Sequence, residues 1–75
     1  MIDRKTFSTR FKQLKEDKQV STVSIGRELG ITKQSVHGWE ISKTIPSADK
    51  LVELADYFDV SLDYLVGRSD DPRRH

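Results

Sequence analysis

Apolar residues recur along this chain at spacings of three and four, with charged and amide side chains between them. Phe7, Phe11 and Leu14 fall at i, i+4 and i+7 and predict an amphipathic helix over Asp3 to Lys18. Ile25 and Leu29 mark a second helix, and Val36 and Trp39 a third. Leu51, Leu54, Ala55 and Phe58 give a fourth, Ala48 to Phe58, and Leu62 and Leu65 a short fifth, Leu62 to Val66. A repeated unit sets three of the starts: Val20-Ser21 before Ile25, Ile31-Thr32 before Val36, and Val60-Ser61 before Leu65. In each, a hydroxyl can accept a bond from an orphan backbone N–H, while the flanking apolar pair staples the entering chain to the first turn. Ser47, after Pro46, is the expected cap of the fourth helix. Gly30 and Gly67 stand where a helix ends in a left-handed residue. No strand alternation, internal repeat or low-complexity segment appears, so the expected fold class is all-α with five helices.

The stretch Ser21 to Glu40 organises the rest. Two short helices joined by a tight turn containing Gly form a helix-turn-helix. At about 100° per residue, with Val36 and Trp39 inward, Gln34 and Gly38 face the opposite way and His37 flanks them. Lys33 and Ser35 lie at the helix start, half-turned outward. Lys, Gln, Ser and His side chains donate to or accept from base edges, which suits reading of a DNA major groove. No apolar residue is expected on that face to attract a protein partner. Ile41 to Pro46 is a loop, with Ile45 turned to the core. Trp39 belongs to the core rather than to a base-stacking platform. Tyr57 and Tyr64 lie off the stripes and, with Leu62 and Val66, are candidates for a dimer surface.

Composition narrows the function classes. The 75 residues make one small domain, and a chain this short buries only about 60% of its unfolded surface. It has no cysteine, and its two histidines are His37 and His75, so no zinc set is expected. No run of about 18 apolar residues offers a membrane span, and the N-terminus lacks the apolar core of a signal peptide. A cytoplasmic or nucleoid location is expected by default. Net charge is only +1, but residues 1–46 hold nine Lys/Arg against five Asp/Glu, while 47–75 hold four against seven. The basic half contains the helix-turn-helix and could turn toward phosphates. Arg4, Lys5, Arg10, Lys12, Lys15 and Lys18 are expected chiefly as a solvated face of the first helix, and Asp49, Glu53, Asp56 and Asp59 as that of the fourth. Residues 68–75, RSDDPRRH, lack apolar periodicity and are expected as a flexible tail or the start of a linker, beyond a domain at 1–67.

The segments FxxRFKQLKEDKQVS, LGIT, SVHGWE, SKTIPS, LxxLAxYF and VSLDYLVG, in that order between Phe7 and Gly67, make the chain resemble the Cro/CI-type helix-turn-helix family of phage repressors and their bacterial relatives. The resemblance implies a five-helix, lambda-repressor-like DNA-binding domain that regulates transcription, usually as a homodimer on double-stranded operator DNA. It implies base reading by Lys33, Gln34 and Ser35, with His37 and Gly38 further along the helix. It implies phosphate contacts around Thr22, where relatives often carry Gln, around Thr32, and in the loop Ser42, Lys43 and Thr44, through backbone N–H groups and the lysine. In some relatives a basic residue matching Lys15 pairs with an acid matching Glu40. Relatives often have Gly in place of Ser42, so the loop geometry is expected to differ here.

Gln34 is the leading site residue, because its amide can bind adenine N6 and N7 together, a discrimination of about 1–3 kcal/mol. Gly38 costs up to about 1 kcal/mol against Ala inside a helix; either surface drift or close approach of the helix to a base or sugar would account for it. Competing expectations are an antitoxin of a toxin–antitoxin pair and an interaction module that has lost DNA binding. An enzyme is the remotest class: no nucleophile–base pair, phosphate loop or metal constellation is evident. No cofactor, metal or small-molecule ligand is expected.

Overall fold

Five N-caps decide where the helices begin. In the computed structural model, which describes residues 3–74, α1 (Arg4–Lys18) follows Asp3, whose side chain accepts from the Lys5 N–H. α2 (Thr22–Leu29), α3 (Lys33–Glu40), α4 (Ala48–Phe58) and α5 (Leu62–Leu65) follow Ser21, Thr32, Ser47 and Ser61, each accepting from the N–H three residues on. Asp3 is therefore a cap rather than the first helical residue, and Val66 caps α5 rather than extending it. Bonds from the Thr6 hydroxyl and the Lys5 N–H hold the Asp3 carboxyl below its ordinary pKa, since both favour the ionised acceptor. That cap is complete above the usual carboxylate range and is lost as pH falls through the lowered value.

Three helices end on a left-handed cap, one of them glycine, and Gly67 with φ +88° follows the cap of α5. Gly30 ends α2 with φ +69°, while Gln19 and Asp59 end α1 and α4 with φ +56° each. In both non-glycine caps the next residue turns back: the Val20 and Val60 N–H groups donate to the Lys15 and Ala55 carbonyls at 3.0 Å. Those bonds satisfy carbonyls that a helix end leaves orphaned.

Phe11 is the centre of the core. Its ring stacks on Phe7 at 5.6 Å and meets Trp39 and Phe58 edge-on at 5.7 and 6.1 Å, joining α1, α3 and α4. Ile25, Val36, Leu54 and Leu65 are fully buried around it, and Val20, Ile31 and Ile45 pack against the cluster. Trp39 is buried, as its spacing requires. Two polar side chains tie helix ends to neighbouring helices. Ser8 Oγ donates to the Glu40 carbonyl at 2.7 Å, and Lys50 Nζ to the Leu29 carbonyl at 2.9 Å.

Residues 68–74 do not trail away as expected. The Arg68 and Ser69 N–H groups donate to the Asp63 carbonyl, and the Ser61 N–H donates to the Pro72 carbonyl at 2.9 Å. Arg10 leaves the solvated face assigned to it and clips this segment to α1. Its guanidinium lies 4.3 Å from the Tyr64 ring centroid, donates to the Tyr64 and Ser69 carbonyls, and pairs with Asp70 at 2.7 Å. Arg74 pairs with Asp56 at 2.6 Å and donates to the Ala55 carbonyl. The expectations for His75, and for Met1 and Ile2, lie outside the described residues. Of the residues expected to share a dimer surface, Tyr64 and Tyr57 are half-buried and Val66 is buried; only Leu62 is exposed. No helix among the described residues is long and apolar enough to cross a membrane.

Two stability predictions follow from the caps and the core. Phe11→Ala should cost about 3–5 kcal/mol in urea denaturation, a large share of the roughly 5–15 kcal/mol that holds a typical domain folded. Gln19→Gly should stabilise by about 0.5–1 kcal/mol, because glycine escapes the left-handed penalty; a lowered thermal midpoint would contradict this.

Candidate nucleic-acid interface

α3 presents four polar side chains and buries the rest of its surface. Val36, Gly38 and Trp39 face inward, while Lys33, Gln34, Ser35 and His37 are exposed. The side chains of Lys33 and Gln34 are engaged by no described residue. Ser35 is held at its backbone, where its N–H donates to Thr32 Oγ1 at 3.1 Å, and its Oγ accepts from the Thr32 hydroxyl at 3.0 Å. The two hydroxyls use one hydrogen between them, which leaves the pair one for an outside acceptor. Shallow depressions flank the helix. One runs under Lys43 to Ser47, and the other lies among Lys33, His37, Ile41 and Lys43; Gln34 and Lys43 border both.

Three hydroxyl and amide expectations change once the hydrogens are counted. Phosphate oxygens only accept, so a contact to one needs an unspent donor. Thr22 spends its hydrogen on Glu40 Oε1 at 3.1 Å and accepts from Lys15 Nζ at 2.7 Å. Thr32 shares a hydroxyl bond with Ser35, so the pair keeps one hydrogen rather than two. The loop amides also turn inward: Ser42 N–H donates to the Trp39 carbonyl at 3.4 Å, and Lys43 and Thr44 N–H to the Gly38 carbonyl at 3.0 and 3.3 Å. What remains outward in the loop is its side chains, chiefly the exposed Lys43.

Gly38 is a further correction. Expected on the outer face, it is buried, because the loop lies directly on it. A Cβ there would stand 2.8 Å from Thr44 Oγ1. The missing side chain thus admits Thr44 and lets the Gly38 carbonyl take both loop amides. The close approach that glycine permits is to the chain's own loop. Ser42 adopts φ +63°, so the loop takes a left-handed turn without glycine and carries its strain on a serine.

Lys15 and Glu40 pair across α1 and α3, with side chains 14% and 17% exposed. Thr22 bridges them from α2, so one carboxylate joins three helices. His37 Nδ1 lies 3.9 Å from the same carboxylate, with its ring largely in solvent. Two residues near the face were not singled out by sequence pattern. Arg4 Nη1 donates to the Lys43 carbonyl at 3.0 Å, placing a guanidinium beside the loop. Ile41, treated as loop, is 55% exposed at the foot of α3. Its N–H still bonds the His37 carbonyl at 3.1 Å, so the helical track runs one residue past the helix and puts an apolar side chain where none was expected.

A helix-turn-helix family model matches residues 12–65 of the chain. Over 66 residues the chain is 38% identical to the uncharacterized HTH-type transcriptional regulator YobD of Bacillus subtilis, covering 88% of this chain and 59% of that protein. It is 30% identical over 66 residues to the uncharacterized HTH-type transcriptional regulator YqaE of the same organism, covering 87% and 57%. A crystal structure of a transcriptional regulator from Listeria innocua is similar with a TM-score of 0.78 at 31% identity, over 81% of this chain and 57% of that one. The chain thus spans less than three-fifths of the length of each of these proteins.

The packing of Thr44 on Gly38 can be measured as a coupling. Ala is the better helix former by about 1 kcal/mol, but its Cβ meets the threonine hydroxyl. Gly38→Ala should therefore be more favourable in a Thr44→Ala background than alone, by at least about 0.5 kcal/mol in a double-mutant cycle. Additive effects would show that the loop does not press on Gly38.

Proposed function

We propose, for a chain that belongs to the Cro/CI-type helix-turn-helix family, that it binds double-stranded operator DNA sequence-specifically and regulates transcription, with α3 in the major groove. One observation carries this reading: Lys33, Gln34 and His37 project together from one helix face, the first two with donors unspent, and Ser35 stands exposed at the helix start. Gln34 takes an adenine edge; Lys33, Ser35 and His37 take neighbouring bases or phosphates. Lys43, with the side chains of Ser42 and Thr44, lies along the backbone, and Arg4 reinforces the charge there. Gly38 shapes the loop, and Lys15 and Glu40 set the pose of α3. The DNA-binding unit includes residues 68–74 and carries no catalytic activity.

Two copies act on a near-palindromic site, with recognition helices about 34 Å apart. A domain of 29 × 22 × 22 Å fits side by side at that spacing on one face of the duplex. Repression then follows sterically, by exclusion of polymerase from the occupied promoter.

Selection from a random duplex library, with Gln34→Ala in parallel, tests the reading. An inverted repeat should be enriched, and the variant should lose about 1–3 kcal/mol of discrimination at one adenine. Lys43→Ala should weaken all sequences alike and lower the salt slope by about one. No enrichment at low salt by the folded chain would replace DNA binding with a protein-interaction role.

A further inference from the structure

Among the described residues, four large apolar side chains are exposed: Val23, Ile41, Val52 and Leu62. Scattered single residues of this kind are ordinary, and Val23, Val52 and Leu62 line neither depression beside α3. Ile41 differs. It is the one apolar side chain in a depression otherwise bordered by Lys33, Gln34, His37, Gly38 and Lys43.

We propose that Ile41 is a base-reading residue that recognises the C5 methyl group of a thymine at the far end of the half-site read by Gln34. The proposal rests on the operator-binding function above and names a specificity determinant within it. Gln34 and Ile41 are seven positions apart, two helical turns, and so share a face. The backbone bond from Ile41 to His37 keeps that register. Seven residues rise about 10 Å, the span of about three base-pair steps at 3.4 Å each. Gly38, between them, is covered by the loop, and the depression that joins Gln34 to Ile41 is bordered by Lys33, His37 and Lys43. An aliphatic side chain has no donor or acceptor to offer a base. On the major-groove edge it complements the thymine methyl, the one apolar group displayed there.

The test uses the half-site enriched by the wild-type chain. It is resynthesised with uracil at each thymine in turn, which removes only the methyl group. Each duplex is titrated with wild type, Ile41→Ala and Gln34→Ala by fluorescence anisotropy, with circular dichroism confirming the fold. Wild type should lose about fourfold at one position, equivalent to the ~0.8 kcal/mol of one buried carbon group. That position should lie about two to four steps from the base at which Gln34→Ala changes preference. Ile41→Ala should bind the thymine and uracil duplexes equally there, while Gln34→Ala keeps the thymine preference. The inference is overturned if uracil is neutral at every position, or if Ile41→Ala retains the preference. A packing contact to sugar would give the first result. Failure of operator binding itself would be seen earlier, as the absence of any enriched half-site, and would remove the inference with it.

Discussion

The Glu40 carboxylate, shared between Lys15 and Thr22, is the point on which the placement of α3 depends. α3 has eight residues, well short of the roughly 12–15 at which an isolated helix becomes even marginal. Its shape and direction are therefore borrowed from its neighbours. Burial of Trp39 against Phe7 and Phe11 supplies free energy, but burial is non-directional and would tolerate a rotated helix. The directional bonds fix the angle. Glu40 reaches α1 and α2, Ser8 grips the Glu40 carbonyl, and the loop closes on the Gly38 carbonyl. These ties fall on residues 38–40, the last turn. The first turn rests on α2, through the Thr32 cap, Val36 and the close approach of Gly26 to the Ile31 carbonyl, and its exposed side chains are the ones left to project.

Much of this was legible locally. A Ser or Thr between two apolar residues carries its own geometric meaning, and the caps at Ser21, Thr32, Ser47 and Ser61 stand where that pattern puts them. What was illegible depends on partners far away in sequence. Arg10 resembles any solvated arginine until Ser69 and Asp70, 59 and 60 residues later, arrive beside it. The segment 68–74 has no apolar period because it is held by backbone bonds and ion pairs, which leave no hydrophobic trace. Gln19 and Asp59 take left-handed caps without glycine, so composition could not mark those helix ends as it marked Gly30. Ile41 was hidden by the assumption that a face ends where its helix does.

A family resemblance transfers positions more safely than it transfers hydrogens. Thr22 and Thr32 occupy places where the resemblance implies phosphate contacts, yet Thr22 gives its one hydroxyl hydrogen to Glu40 and Thr32 shares one with Ser35. The loop amides are in the same state. Sequence could not reveal this, because the accepting groups, Glu40 Oε1, Ser35 Oγ and the Gly38 carbonyl, are defined only by the fold. Thr22 is part of an internal bridge, so the groups left to meet a polyanion are chiefly those on α3 and the loop side chains.

That shorter set also resolves how a chain of net charge +1 can present a positive surface. In the second half of the chain, Lys50, Arg73 and Arg74 pair with Glu53, Asp71 and Asp56, and Arg10 is turned onto Asp70. Beside α3 the arrangement is reversed. The nearby carboxylate, Glu40, is neutralised by Lys15, while Lys33 and Lys43 face no acid among the described residues. Screening limits each charge to a radius of about 10 Å at 0.1 M salt, so the outer face of α3 responds to this local set and not to the molecular sum.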